Sequence, residues 1–133
     1  MANTLQFDLV SPERKLASVQ ATEVQIPGAD GDLTAMEGHA ATITTLRPGI
    51  LKAVSPQGTQ AFAVTGGFAE ITAAGVTVLA ERAIPVEDLS GTILDDMVQE
   101  ARDLAAIAPA DQKDAAEKIV HDLLALRNDA AHH

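Results

Sequence analysis

The sequence predicts an α+β chain: an N-terminal antiparallel β-sandwich of about ten short strands, followed by a C-terminal antiparallel two-helix hairpin. Three observations predict it. Up to residue 86, short alternating apolar runs are broken by turn residues at intervals of roughly eight to twelve positions, the mark of a sandwich or barrel rather than of βαβ units. No long helical segment separates those runs. From Leu89 onward, apolar residues recur at three- and four-residue spacing, the period of amphipathic helices.

The elements follow in order. Leu5, Phe7 and Leu9 alternate with Gln6 and Asp8 as a half-buried strand, and Ser11-Pro12-Glu13 turns the chain. Runs follow at Leu16–Val19 and Ala21–Ile26, with Val24 and Ile26 inward and Glu23 and Gln25 outward. The stretch from Ile26 to Ala41 breaks at Pro27-Gly28, turns again at Asp30-Gly31 and reaches Gly38-His39-Ala40. Pro fixes φ and Gly supplies positive φ, so a compact loop is expected here, with its carboxylates and backbone turned outward. Further runs cover 41–46, 50–54, 60–65, 68–73 and 76–80, separated by Pro48-Gly49, residues 55–58, Gly66-Gly67 and Ala74-Gly75. The first helix carries Ile93, Leu94, Met97, Val98, Ala101, Leu104 and Ala105 on its stripe and ends at Ala108-Pro109. The second carries Ala116, Ile119, Val120, Leu123, Leu124 and Leu126, with Arg127 in its last turn, where a cation suits the helix dipole. Residues 1–86 and 87–133 are expected to form two domains, joined at a point suited to a hinge.

Composition bounds the function. The chain of 133 residues is 47% apolar but only 2% aromatic, so much of its core is Ala and thin. The net charge is -10. Residues 1–86 hold eight acidic and five basic side chains and the rest eleven and four, so the second part is the more negative. Such a chain is repelled by phosphate backbones and anionic lipid, which argues against nucleic-acid binding and direct lipid insertion. There is no Cys, hence no disulfide and no thiolate site. The first residues lack the basic start and apolar run of a signal peptide, and no segment approaches the ~20 apolar residues of a membrane span.

Catalytic chemistry is hard to find. Asp30, Asp32 and Glu37 lack the ligand order of a calcium loop, so no metal is expected. Glu37 and His39 have no second His or Cys nearby to build a zinc or acid–base site. Gly66-Gly67 has no helix behind it to bind a phosphate, and reads as a tight turn or a close backbone contact. Asp95 and Asp96 read as solvated, His121 lies beside the polar face of its helix, and His132 and His133 end the chain with no assigned role. The residues describe a binding or structural protein rather than an enzyme on its own.

One resemblance sharpens this. The segments Leu9-Val10-Ser11-Pro12-Glu13, Pro27-Gly28-Ala29-Asp30-Gly31-Asp32-Leu33, Glu37-Gly38-His39-Ala40, Arg47-Pro48-Gly49, Thr65-Gly66-Gly67-Phe68-Ala69-Glu70 and Val76-Thr77-Val78-Leu79-Ala80-Glu81 resemble, in order and spacing, the epsilon subunit of bacterial F-type ATP synthase. The resemblance implies a ten-stranded sandwich and two helices in a non-catalytic rotor subunit of the central stalk. It implies a sandwich held between the gamma subunit and the membrane ring of c subunits, at the cytoplasmic face of the bacterial inner membrane. By that resemblance Ala29, Asp30, Gly31 and Asp32 meet the polar loops of the c-ring, and Ser11, His39 and Thr44 face gamma. The helical hairpin is the family's route to the alpha and beta subunits, where it blocks ATP hydrolysis in many members.

Two departures qualify that route. The second helix region carries Lys113, Lys118 and Arg127 among Asp111, Asp114, Glu117, Asp122 and Asp129, so docking on an acidic partner is expected to be weak. Some members bind ATP through a motif whose Asp and Arg positions are occupied here by Ser90 and Ile93, within Leu89-Ser90-Gly91-Thr92-Ile93-Leu94. No cofactor is therefore expected. Three functions remain open on sequence: a rotor subunit, a regulatory subunit whose helices brake hydrolysis, and a free-standing sandwich that binds a small ligand through residues 27–39.

Overall fold

The computed structural model describes residues 4–130, and the terminal His132 and His133 lie outside them. Eight strands come first: β1 (Leu5–Val10), β2 (Lys15–Ala21), β3 (Glu23–Gly28), β4 (Gly31–Ala35), β5 (Thr42–Thr45), β6 (Gly49–Ser55), β7 (Gly58–Ile71) and β8 (Gly75–Pro85). A single 3-10 turn (Val86–Asp88) then leads to α1 (Gly91–Ile107) and α2 (Lys113–Ala130).

All eight strands hydrogen-bond in the order β2-β1-β8-β7-β6-β3-β4, with β5 on β7. The sandwich comes from the two longest strands. Residues 58–64 of β7 pair with β6, whereas residues 68–71 pair with β5. β8 pairs with β1 only through residues 75–79 and runs on to meet Phe62 at Pro85. One layer is thus β2, β1, the first half of β8, the second half of β7, and β5. The other is the remaining halves of β8 and β7 with β6, β3 and β4. Counted by halves, this gives the expected ten segments. Counted as continuous strands, there are eight.

Gly66 and Gly67, at φ 66° and 91°, mark the crossing point. Along β7 the core-facing positions change from Phe62 and Val64 to Ala69 and Ile71, an even-to-odd switch that ordinary pleating does not produce. A Cβ on Gly67 would lie 1.9 Å from the Leu79 carbonyl oxygen. The glycine pair is therefore a close backbone contact inside a strand, not the turn that its composition also suggested. Between the layers lies one cluster that includes Leu5, Phe7, Leu9, Val24, Ile26, Leu51, Phe62, Val64, Ile71, Val76 and Val78, each at most 5% exposed.

Two expectations need correction. The sheet is not wholly antiparallel, because β1 and β8 pair in parallel. Their connection is the whole of the intervening sandwich, which leaves room for a parallel crossover. The stretch 26–41 is not one loop: Gly31–Ala35 forms β4, paired with β3 around a two-residue turn at Ala29-Asp30. Only the second turn, through Glu37-Gly38, is irregular, and Gly38 N–H there donates to Ala73 O at 3.0 Å.

The helices fold back on the second layer. Ile50, Ala63 and Ile84 on its outer face pack with Leu94, Met97, Val98, Leu123 and Leu126 in a second cluster, distinct from the sandwich core. Ser90 caps α1, its hydroxyl accepting from Ile93 N–H at 3.2 Å. Ala108, extended at φ -65° and ψ 139°, ends α1 before Pro109. Leu104 and Ile119, placed on the apolar stripes by spacing, are 64% and 47% exposed and lie outside the hairpin's buried cluster.

Replacing Gly67 by Ala should cost about 3 kcal/mol or more in urea unfolding, since positive-φ strain adds to a backbone clash. Gly58→Ala, at φ 133° with no atom within 4 Å of the added Cβ, should lose only the strain, about 1–2 kcal/mol. Equal losses at the two sites would contradict this account of the crossing.

Candidate functional site

The first candidate surface is the β3–β4 tip. Ala29, Asp30, Gly31 and Asp32 are all exposed there. The tip is tied down at its base rather than free. Ala29 N–H donates to Thr45 O at 2.8 Å, Gly28 bridges Leu46, and Arg47 N–H donates to Pro27 O at 3.0 Å. Arg47 Nη2 also donates to Asp32 Oδ1, forming an ion pair. The structure thus brings the four sequence-picked residues together and adds Arg47, whose Arg-Pro-Gly context gave no hint that it reaches the tip.

The second surface is the outer face of the first layer, which no helix covers. The strand registers align Thr45, Phe68, Leu79 and Val10 in one row across β5, β7, β8 and β1. The next row is Ile43, Glu70, Thr77 and Asp8. Ile43, Phe68 and Leu79 are 68%, 39% and 40% exposed. Exposed apolar side chains grouped on one sheet face, rimmed by polar ones, mark a contact surface.

Ser11 and His39 lie at opposite corners of this face. Ser11 closes the β1–β2 turn, its N–H donating to Arg14 O at 2.9 Å. His39 closes the turn from Met36, with Nδ1 at 2.6 Å from Ala40 O, beside the β7–β8 turn that Gly38 contacts. From strand spacing and rise the two are roughly 20 Å apart. Thr44 is elsewhere. It alternates with Ile43 on β5 and turns inward, its Oγ1 lying 3.1 Å from an added Gly28 Cβ. The three residues therefore do not form one cluster. The sequence did not single out Ile43, Phe68 and Leu79: Ile43 and Leu79 lie on the outward side of ordinary strand alternation, and Phe68 directly follows the change of facing at Gly66-Gly67.

At one edge of the face the Asp8 carboxylate is held below its ordinary pKa. The Ser18 hydroxyl is the main cause, opposed by partial desolvation and aided by the Gln6 amide and Lys15. Lys15 Nζ lies 3.6 Å from Asp8 Oδ1.

On the hairpin, Asp95 is not simply solvated: it accepts from Arg127 of α2 at 2.9 Å. Ser90 is engaged in the α1 cap and Ile93 in the hairpin's apolar packing. Among the described residues no group of three His, Cys, Asp or Glu is placed to hold a metal, and no helix is long and apolar enough to cross a membrane.

Comparison with known proteins now decides the family. Residues 4–86 match the model of the ATP synthase delta/epsilon chain β-sandwich domain. The ATP synthase epsilon chain of Cereibacter sphaeroides is 65% identical over 132 residues, covering 99% of this chain and 100% of that one. The chain belongs to the ATP synthase epsilon chain family. The epsilon chain of Paracoccus denitrificans is 50% identical, over 90% of this chain and 81% of its own. Among solved structures, a chain of the Euglena gracilis mitochondrial ATP synthase (OSCP/F1/c-ring, rotational state 1) matches 98% of this chain and 82% of itself. Its TM-score is 0.73 at 22% identity. A chain of the Tetrahymena thermophila mitochondrial ATP synthase central stalk and c-ring matches 95% of each chain, with TM-score 0.65 at 15% identity. At such identities the two likenesses speak for the fold alone.

Two outcomes are expected. Asp8→Asn should lower stability at neutral pH. A depressed folded pKa stabilises above the unfolded value near 3.8 and loses that contribution as pH falls through the folded one. The difference from wild type should therefore hold from pH 7 to about 5 and close below pH 3.8, as read by urea midpoints. Ser90→Ala should cost about 1 kcal/mol through loss of the α1 cap, visible as earlier amide exchange in the first turn.

Proposed function

We propose that this chain is a non-catalytic rotor subunit of a proton-translocating F-type ATP synthase. It joins the gamma subunit to the membrane c-ring and couples proton flow to ATP synthesis, as a peripheral component at the cytoplasmic face of the bacterial inner membrane. One observation carries this reading: a single sandwich exposes two faces of different chemistry, an acidic tied-down tip and an open apolar sheet face. The tip, with Ala29, Asp30, Gly31 and Asp32, suits basic polar loops of the ring, since opposite charges at an interface fix register and partner choice. The sheet face, with Ser11 and His39 at its corners and Ile43, Phe68 and Leu79 between them, suits gamma. Thr44 belongs to the seam between the two. Torque needs a stiff body held on two sides, and a sandwich sealed by its own core supplies it.

The regulatory reading has one observation in its favour. The hairpin rests on the sheet through its own apolar cluster, and among the described residues a single ion pair, Arg82 to Glu100 at 3.4 Å, joins it to the sandwich. In this proposal residues 87–133 form a separable unit. The acidic excess of α2 and the lack of Asp and Arg at Ser90 and Ile93 favour weak braking and no useful ATP binding. The third reading, a free-standing ligand module, draws no support from family membership.

Phe68→Glu or Ile43→Glu should weaken a one-to-one complex with isolated gamma by about tenfold or more, since each puts a charge into a buried apolar contact. Unchanged affinity in calorimetric titration would sink the assignment of this face. Removing residues 89–133 should change ATP hydrolysis by the reconstituted complex little, whereas a strong rise would favour the brake. ATP titrated into the chain should bind no tighter than about millimolar, because neither an anionic nor a cationic anchor stands at the motif.

A further inference from the structure

We infer that the cavity under the hairpin is a site for a small dianionic oxyanion of the phosphate type, held by Lys52 and Arg47 and roofed by α2. The inference does not depend on which face meets gamma or the ring. The chain carries nine Lys and Arg residues. Seven of them are exposed, and only Arg47 and Lys52 are partly buried. Both line the same cavity of about 250 Å³, between the outer face of the second layer and Ala125 and Leu126 of α2. The strand registers set its floor. Thr34, Gln25 and Lys52 stand in one row across β4, β3 and β6, and Asp32 and Pro27 stand in the next. One cation comes from within β6 and the other from the bend that leads into it.

The charges in this wall do not balance. Arg47 Nη2 donates to Asp32 and Nη1 to Pro48 O at 3.4 Å, which leaves the rest of its five N–H donors unspent. Among the described residues Lys52 makes no ion pair and no side-chain hydrogen bond. Glu23, on the same side of β3 as Gln25, accepts from Gln25 Nε2 at 3.3 Å and forms no pair with Lys52. The Thr34 hydroxyl makes no hydrogen bond among the described residues either. Two cations thus line the cavity with one carboxylate. Partial burial costs a cation hydration, and an anion delivered to it offsets that loss. The net charge of -10 does not forbid this, because charges beyond a Debye length of about 8–10 Å are largely screened and the near wall decides. The volume falls below the ~300 Å³ at which sites for drug-sized ligands begin, so the cavity suits an inorganic ion rather than a nucleotide. Because α2 supplies the roof, the site is complete only with the hairpin docked, and an ion that fills it favours the docked state.

The test titrates the full chain with sodium phosphate at mildly alkaline pH, sodium chloride holding the ionic strength constant, and follows backbone amide signals. Those of Thr34, Lys52 and Ala125 should move along one saturating curve, with a dissociation constant of about a millimolar. Acetate, a single charge, should bind about fivefold more weakly or worse. Lys52→Gln should weaken phosphate binding about fivefold or more while leaving the melting temperature without phosphate nearly unchanged. Ala125→Glu, which sets an acid in the roof at an exposed helix position, should do the same and keeps the test open if Lys52→Gln fails to fold. Amide exchange across residues 120–127 should slow by up to about tenfold at tenfold excess of phosphate over its dissociation constant. Shifts that never saturate, shifts centred elsewhere, or binding unchanged by both variants overturn the site. Acetate binding as tightly as phosphate overturns the assignment to a dianion, and saturation without slower exchange in α2 overturns the coupling to the hairpin.

Discussion

The close approach of Gly67 to the Leu79 carbonyl is the constraint on which the rest of the structure depends. Because no Cβ fits there, β7 and β8 stay hydrogen-bonded in one register while passing from one layer to the other. That passage builds a sealed core from a chain with three Phe, no Trp and no Tyr. It also decides what each outer face shows the solvent. After the switch, Ala69 and Ile71 go inward and Phe68 is left outside. On the other layer Ala63 turns outward to receive the hairpin. A thin core and a folded-back helical pair follow from the same bend.

Division of labour follows from having two separate apolar clusters. The sandwich closes on itself, so its two exposed surfaces stay fixed relative to each other whether or not the helices remain docked. The helices are held by a smaller cluster and one surface ion pair, an interaction worth little on its own. The hairpin region, residues 87–133, carries the greater share of the negative charge. In the tip the same logic operates at smaller scale, where Arg47 joins β3, β4 and the β5–β6 connection so that a two-residue turn does not swing.

Much of this was legible in the sequence. The fold class, the strand-then-helix order and the exposure of residues 29–32 followed from alternation, turn residues and period. What failed, failed for identifiable reasons. Gly31-Asp32-Leu33-Thr34-Ala35 has glycine and a carboxylate where strand formers are expected, so β4 read as loop, and only its pairing with β3 overrides that propensity. The parallel β1–β8 pair is a long-range contact with no local signal. That Thr44 lies beside Gly28, apart from Ser11 and His39, was not visible in the sequence, because neighbours along a strand face opposite ways. On the open face, Phe68 was masked by the facing switch at Gly66-Gly67, whereas Ile43 and Leu79 lie on the outward side of ordinary alternation. Asp95 looked solvated because its partner, Arg127, lies 32 positions away on the other helix.

The central claim is that one rigid sandwich holds two partners at once, on separate faces. The most direct measurement adds the chain to isolated gamma and then to c-rings in nanodiscs, with mass followed by size exclusion and light scattering. The account predicts a one-to-one complex with gamma that still binds the ring, so that all three travel together. Gamma and ring displacing each other, or no complex with gamma at micromolar concentrations, would contradict it.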